Sequence, residues 1–157
     1  VRRARAADVA ELVRLREVMF DAMGLVGGAP EWRSVAVEVM AASMEIGRMI
    51  GFVVDDPQAK GNLAAGGVVE YEPRLPSPAN PTGVLAYVSN IATDPAWRRQ
   101  GFARAVAEAL LDDARGRGVV RIELHATPDG IELYRSLGFV ERAGNPEMRW
   151  TGRTAQA

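Results

Sequence analysis

The sequence predicts a single domain of mixed α/β (α+β) class, built from alternating strands and helices. Apolar residues recur at steps of three and four in four segments, which is the period of a helix. Runs rich in Val, Ile and Tyr, bounded by Gly and Pro, add six to seven strands. The 157 residues suffice for one core, and no long linker divides them. We therefore expect one domain over residues 1–150 and a frayed tail over 151–157.

The N-terminal half predicts a strand, two helices and a hairpin. Asp8 stands where a side-chain cap would begin the first helix, and the apolar stripe of that helix ends at Met23. In chain order, the predicted elements are a strand at 2–5, a helix at 8–23, a loop at 24–30, a helix from Glu31 or Ser34 to Met49, and strands at 51–55 and 63–71.

The C-terminal half predicts two strand–helix units and a final strand pair. Four prolines make the loop at 73–83 unsuited to a sheet interior. Pro95 closes the strand that follows this loop, and Gly116 and Gly118 end the next helix. The predicted elements are a strand at 84–93, a helix from Phe102, a strand at 119–126, a helix at 128–137, and strands at 139–142 and 147–150.

The loop at 98–103 has the features of an anion site. It lies between a strand and a helix, and the first amides of a helix have no internal partner and carry partial positive charge. Gly101 lets the backbone approach a ligand closely, and neighbouring arginines add charge. An ordinary turn with solvated arginines would give the same pattern. The loop lacks the Gly-Lys-Ser/Thr ending of a P-loop and the third glycine of a dinucleotide fingerprint, which argues against ATP and NAD.

The composition excludes several function classes. Nineteen basic and twenty acidic side chains leave a net charge of −1, so no global field favours nucleic acid or an anionic membrane. Cysteine is absent, and the lone His125 cannot form a zinc site by itself. No signal-like segment and no run of about 18 apolar residues is present. We expect a soluble cytoplasmic protein without a metal, nucleic-acid or membrane partner.

Two motifs resemble those of the GCN5-related N-acetyltransferase (GNAT) family. Residues 91–103 read IATDPAWRRQGFA and resemble the acetyl-CoA signature, whose core is Arg/Gln-x-x-Gly-x-Gly/Ala. Residues 127–139 read TPDGIELYRSLGF and resemble the short helix that ends in Leu-Tyr-x-x-Leu-Gly-Phe. The resemblance implies a mixed, mostly antiparallel sheet of six to seven strands, flanked by about four helices. It also implies acetyl-CoA as co-substrate and an amine as acceptor.

The resemblance further implies which residues contact the cofactor. In this family the cofactor strand and the next strand splay apart, and the thioester lies between them. Thr127 departs from the asparagine of many members, and Ala103 from the commoner glycine. The implied contacts are the main chain of Ile91, Ala92 and Thr93, the loop residues Arg98, Arg99, Gln100, Gly101, Phe102, Ala103 and Arg104, and Thr127, Gly130 and Tyr134.

Tyr134 is the predicted catalytic residue. Aminolysis of a thioester expels a sulfur anion, and a phenol that stays protonated at pH 7 can donate to it. The alternative is an amphipathic core tyrosine between Ile131 and Leu137. Its place in the second motif favours the catalytic interpretation.

The general base is less clearly indicated. Several family members carry a glutamate four residues before the first cofactor contact, where this chain has Tyr87, and no acidic residue occurs in 84–93. Side chains of a strand alternate between its two faces, which predicts that Tyr87 and Ser89 share the face of Ile91. The candidates are Tyr87, Ser89, Glu70, Glu123 and His125, with water alone as the remaining option.

The acceptor is not specified by the sequence. By analogy, the loop between the first two helices and the turn at 144–146 frame its site. The methionines could form an adaptable pocket there, although at helical spacing they are more typical of a core. We expect a small amine or amino acid as acceptor; a protein amine and a non-catalytic acyl-CoA-binding module remain as alternatives. A homodimer through the strand at 147–150 is also open.

Overall fold

A computed structural model describes residues 1–25 and 29–142 of the chain. The described part contains five strands, four α-helices and three short 3-10 turns. The strands are β1 (Arg2–Arg3), β2 (Met49–Asp55), β3 (Leu63–Pro73), β4 (Val84–Thr93) and β5 (Arg121–Leu124). The helices are α1 (Val9–Ala22), α2 (Trp32–Glu45), α3 (Phe102–Gly116) and α4 (Ile131–Ser136).

The strands form one mixed sheet in the order β1-β2-β3-β4-β5. The first three pairings are antiparallel, and β4 pairs with β5 in parallel after a crossover through α3. The predicted α/β class and mostly antiparallel sheet are confirmed, but the described part has five strands rather than six to seven. No strand is assigned at 139–142, and its predicted partner at 147–150 lies outside the described residues, as does the predicted tail at 151–157.

Each face of the sheet has its own apolar cluster. The methionines behave as core rather than as a pocket, because Met40 and Met49 are buried and Met19 and Met44 pack against them; Met23 is exposed. One face packs against α1 and α2 through Val9, Leu12, Leu15, Met40, Met49, Val53 and Val68. The other packs against α3 through Ile50, Ala65, Val69, Ala86, Val88, Val106 and Leu110.

The start of α1 differs from the prediction. Asp8 occupies the cap position, but its side chain makes no cap hydrogen bond to α1. Its carboxylate instead accepts a hydrogen bond from the Arg5 amide at 2.7 Å and two from the Arg2 guanidinium at 2.7 and 2.8 Å. Arg2 also binds Asp55 at the end of β2. Asp8 therefore ties the start of α1 to the N-terminal strand rather than capping the helix.

A β-bulge interrupts the pairing of β4 with β3. Gly66 pairs with Ala92 and Val68 with Ser89, so two residues of β4 oppose one residue of β3. Within the bulge, Asn90 has φ of +57°, in the left-handed region that asparagine tolerates better than most residues. The extra residue bends the strand and changes which side chains share a face.

The bulge makes the period-two prediction for β4 wrong. Ser89 pairs with Val68, which belongs to the cluster under α1 and α2, and Tyr87 lies on that same face by alternation. Ile91 packs instead into the cluster under α3. Tyr87 and Ser89 therefore lie on the opposite face from Ile91.

Candidate active site

The loop after β4 is anchored before it reaches the predicted anion site. The Asp94 carboxylate accepts hydrogen bonds from the Ala96 amide at 3.1 Å and from the Arg14 guanidinium at 2.8 Å. The Trp97 indole donates to Asp56 at 3.1 Å. Contacts from Arg14 of α1 and from Asp56 therefore anchor the 3-10 turn (Pro95–Trp97) that leads to residues 98–101.

The N-terminus of α3 is open. Gly101 is its cap residue at φ of +82°, no side chain caps the helix, and the first internal bond runs from Ala105 N to Gly101 O at 3.0 Å. The amides of Phe102, Ala103 and Arg104 therefore have no partner within the helix. A Cβ at Gly101 would meet nothing within 4 Å. The left-handed backbone, rather than crowding, explains the glycine.

The polar residues of the predicted anion site divide into two groups. Arg98, Arg99 and Gln100 are exposed around the loop, and Arg99 is itself left-handed, with φ of +64°. Arg104 points to α4, where it donates to the Ser136 hydroxyl at 2.6 Å, and it lies 3.6 Å from Glu108. Arg104 thus holds α4 beside the first turn of α3.

The strands β4 and β5 separate near the same end of the sheet. Their last pair is Val88 with Leu124, so residues 89–93 have no ladder partner on the β5 side within the described chain. This opening is where the resemblance implies main-chain contacts from Ile91, Ala92 and Thr93. The Thr93 hydroxyl is buried and has no hydrogen-bond partner among the described residues.

Tyr134 lies on α4, next to this opening. Its ring packs edge-on against Phe139, with centroids 5.9 Å apart, and Gly130 leaves room for it, because a Cβ there would lie 2.9 Å from the ring. Burial raises the pKa of the Tyr134 hydroxyl above its ordinary value. The phenol is therefore a proton donor at neutral pH. Within the described chain this hydroxyl makes no hydrogen bond.

A short 3-10 turn leads into α4. Thr127 is extended and precedes Pro128 in a 3-10 turn (Pro128–Gly130), but the Thr127 side chain makes no cap bond. Gly138, just past the helix, has φ of +92°, as a helix-ending glycine requires. The Thr127 hydroxyl is left available beside Gly130.

Four of the five predicted base candidates lie together on the face of the sheet that packs against α1 and α2, here called the α1/α2 face. Tyr87 pairs with Glu70 across β3 and with Glu123 across β5. Its hydroxyl lies 2.6 Å from Nδ1 of His125. Ser89, the fifth candidate, is the next residue along β4 on this face. The sheet thus gathers groups that are far apart in the chain.

The carboxylates beside Tyr87 have different surroundings. Glu70 is half-buried, and burial, with a smaller contribution from Glu72, raises the pKa of its carboxyl. Glu123 is paired with Arg121 at 2.6 Å and with Arg142 at 3.7 Å. The sequence did not single out Arg16 of α1, which binds the Asn90 side chain within the bulge.

A small cavity of about 230 Å³ lies where α1 and α2 diverge. Phe20 and Trp32 form its aromatic wall, with ring centroids 5.6 Å apart, and Glu17 and Asp21 supply carboxylates. This is one side of the predicted acceptor region. The other side, the turn at 144–146, lies outside the described residues.

Within residues 1–25 and 29–142, no group of three or more His, Asp or Glu side chains is arranged to hold a metal ion. Every helix in that part of the chain is too short or too polar to cross a membrane.

The sequence model of the Acetyltransferase (GNAT) family matches residues 23–139, more than half of the chain. The chain belongs to this family. The match spans both motifs and the bulged strand, so the GNAT resemblance found in the sequence is confirmed.

Two relatives cover parts of the GNAT domain. Glucosamine 6-phosphate N-acetyltransferase 1 of Oryza sativa subsp. japonica is 32% identical over 90 residues, covering 57% of this chain and 53% of that protein. The ribosomal protein bS18-alanine N-acetyltransferase of Escherichia coli K12 is 44% identical over 59 residues, covering 36% and 40%. The chain thus spans about half or less of each relative.

Solved structures share the GNAT fold at low identity. A protein described as a predicted acetyltransferase from Clostridium acetobutylicum, solved with acetyl-CoA, has a TM-score of 0.84 at 20% identity, covering 94% of both chains. A GCN5-related N-acetyltransferase from Ralstonia eutropha has a TM-score of 0.77 at 22% identity, covering 94% of this chain and 96% of that one.

Proposed function

We propose that the protein is an N-acetyltransferase that transfers the acetyl group of acetyl-CoA directly to a primary amine of a small molecule or amino acid. The observation that carries the proposal is the position of Tyr134, a proton-donating phenol, beside a sheet that opens beyond Val88. The open N-terminus of α3 lies next to the same opening, and Arg104 joins the two helices. Family membership supports the same chemistry.

The described residues suit acetyl-CoA as a co-substrate. The free amides of the first turn of α3, with the exposed Arg98, Arg99 and Gln100, would hold the pyrophosphate. The unpaired edge of β4 offers backbone groups to the amides of the pantetheine arm. Thr127 and Gly130 would border that arm beside Tyr134.

The chemistry requires a proton for the leaving sulfur. The Tyr134 hydroxyl would supply it, because its raised pKa keeps it protonated until the carbon–sulfur bond breaks. The sulfur then leaves as a neutral thiol rather than as a thiolate. The amine must lose protons on the other side of the reacting carbonyl.

An amine panel with detection of released thiol tests the proposal. The panel contains glucosamine 6-phosphate, serotonin, alanine and a peptide with N-terminal alanine, and mass spectrometry identifies the product. We expect thiol release with at least one amine, together with its acetylated product. If calorimetry shows acetyl-CoA binding but no amine is acetylated, the non-catalytic binding module replaces the enzyme. If acetyl-CoA does not bind either, both interpretations fail.

Protein N-terminal acetylation is the second candidate. The 44% identity to the bS18-alanine enzyme over 59 residues favours it. Faster acetylation of the alanine peptide than of free alanine would select this candidate, because a peptide enzyme binds the residues that follow the amine.

A further inference from the structure

The Tyr87 hydroxyl and the His125 imidazole form a pair at the point where β4 and β5 separate. The Tyr87 oxygen lies 2.6 Å from Nδ1 of His125, and the two ring centroids are 5.8 Å apart. Tyr87 belongs to the next-to-last ladder pair, and His125 directly follows β5. The pair therefore lies at the inner end of the opening.

This pair faces the opposite side of the sheet from the donor groups. Tyr87 lies on the α1/α2 face, whereas the open helix terminus belongs to α3 on the other face. Tyr87, His125 and Tyr134 nevertheless line one common cavity, which runs along β5 to Phe139. An amine entering from the α1/α2 face would meet Tyr87, and the departing sulfur would meet Tyr134.

We propose that Tyr87 and His125 form a proton relay that deprotonates the acceptor amine, which rests on the proposed acetyltransferase function. The Tyr87 oxygen takes a proton from the ammonium while its own proton passes to Nδ1 of His125. The tyrosine hydroxyl is thereby restored, and the imidazole becomes an imidazolium. Tyr87 is the residue that contacts the amine, and His125 acts through it.

The remaining steps balance the reaction. The freed lone pair attacks the thioester carbonyl, a carbon–nitrogen bond forms, the carbon–sulfur bond breaks, and Tyr134 gives its proton to the sulfur. The second proton of the nitrogen leaves to water. His125 then releases its proton to water, and Tyr134 takes one back. The net reaction converts an ammonium and a thioester into an amide, a thiol and one proton.

The surroundings suit this direction of transfer. His125 is exposed, so it can release a proton to water, whereas Tyr87 is half-buried. Arg16 of α1 lies near Tyr87 and Glu70, and its positive charge favours developing negative charge on the phenol oxygen. Glu123 of β5 already binds Arg121 and Arg142.

Two conservative variants test the relay, with Tyr71→Phe as the matched control. Tyr71 is on the neighbouring strand, and its hydroxyl binds Asp113 on the α3 face at 2.6 Å. We expect Tyr87→Phe and His125→Gln each to lower kcat about 10- to 100-fold at pH 7, with the fastest amine of the panel above. The double variant should be no slower than the slower single variant, because the two residues act as one unit. Tyr71→Phe should keep the wild-type kcat.

The pH profile separates a relay from a structural role. Without the relay, only amine that is already deprotonated in solution can react. The kcat/KM of Tyr87→Phe and of His125→Gln should therefore rise about tenfold per pH unit towards the pKa of the amine. The wild type should level off at lower pH. Unchanged profiles, or single losses that multiply in the double variant, would overturn the relay while leaving acetyl transfer intact. Absence of transfer by the wild type would overturn both.

Discussion

Ser89 and Ile91 lie on opposite faces of β4, although a single residue separates them. A regular strand would place them on the same face, since side chains alternate with a period of two. The bulge at Asn90 adds one residue and reverses the alternation. One strand therefore presents Tyr87 to the α1/α2 face and Ile91 to the α3 face, on the two sides of the proposed reaction.

Because of the bulge, we expect substitutions of Asn90 to affect both stability and activity. Asn90→Val should lower the free energy of unfolding by about 1–2 kcal/mol, because a β-branched residue resists a φ of +57°. We expect most acetyl transfer to be lost as well. Asn90→Gly should keep the bulge and most activity. Urea denaturation and the thiol assay measure both effects.

Ser89→Val provides the control for this position, since Ser89 lies in the regular ladder opposite Val68. It should change stability little. If Asn90→Val and Ser89→Val behave alike, the bulge does not position the site.

Tyr134→Phe should separate binding from chemistry. Removing one hydroxyl leaves the ring packed on Phe139, so acetyl-CoA affinity should stay within a few-fold of wild type. Loss of the proton donor should lower kcat about 100-fold. Calorimetry measures the affinity, and thiol release measures the rate. An unchanged rate would remove Tyr134 from the mechanism.

The pKa of Tyr134 predicts how the rate of acetyl transfer depends on pH under alkaline conditions. Burial raises the pKa of Tyr134, so the hydroxyl remains a donor up to at least about pH 10, the ordinary value for a phenol. We expect the contribution of Tyr134 to persist to that pH and to fall only above it. The rate ratio of wild type to Tyr134→Phe, followed with increasing pH, measures this. A ratio that fell near neutral pH would contradict the assignment.

Gly101 should matter for the ligand as well as for the backbone. Gly101→Glu places a carboxylate at the proposed pyrophosphate site, and like charges repel, so acetyl-CoA affinity should fall more than about tenfold. Gly118→Glu is the matched control, because Gly118 is also left-handed (φ of +71°), has equally open surroundings and lies at the far end of α3. Both should lose about 1–2 kcal/mol of stability. Equal affinities would place the anion site elsewhere.

The Asp8 carboxylate should contribute to stability in a pH-dependent way. Its hydrogen bonds to Arg2 hold its pKa below the ordinary range. A lowered pKa contributes stability above about pH 4, which is lost as the pH falls through the folded-state value. Asp8→Asn should therefore lower the free energy of unfolding at pH 7 by about 1 kcal/mol and flatten its decline in acid. Thermal melts between neutral and acidic pH measure both.

Asp112→Asn is the control for the acid dependence, because Asp112 is exposed on α3 and its Arg115 partner lies 3.5 Å away. It should leave the melting curves nearly unchanged. An equal loss in the two variants would mean that the tie between Arg2 and Asp8 is of no special importance.

Local patterns predicted most of the elements. The predicted strand at 84–93 coincides with β4 (Val84–Thr93), and α3 begins at Phe102, as predicted. Proline and glycine mark both ends of these elements, and the chemistry of such residues is local. Asp8 was placed correctly as the residue before α1, but the competing guanidinium of Arg2 comes from another element.

The sequence by itself determined the fold class, the family and the open helix terminus, since these depend on periodicity, on short motifs and on a glycine at a fixed position. Only the tertiary structure decided which faces the side chains of β4 occupy, and that Tyr87, Glu70, Glu123 and His125 meet. The physical reason is that a one-residue bulge and strand pairing depend on the neighbouring strands. The spacing of residues within one segment does not show which strands will be its neighbours in the sheet.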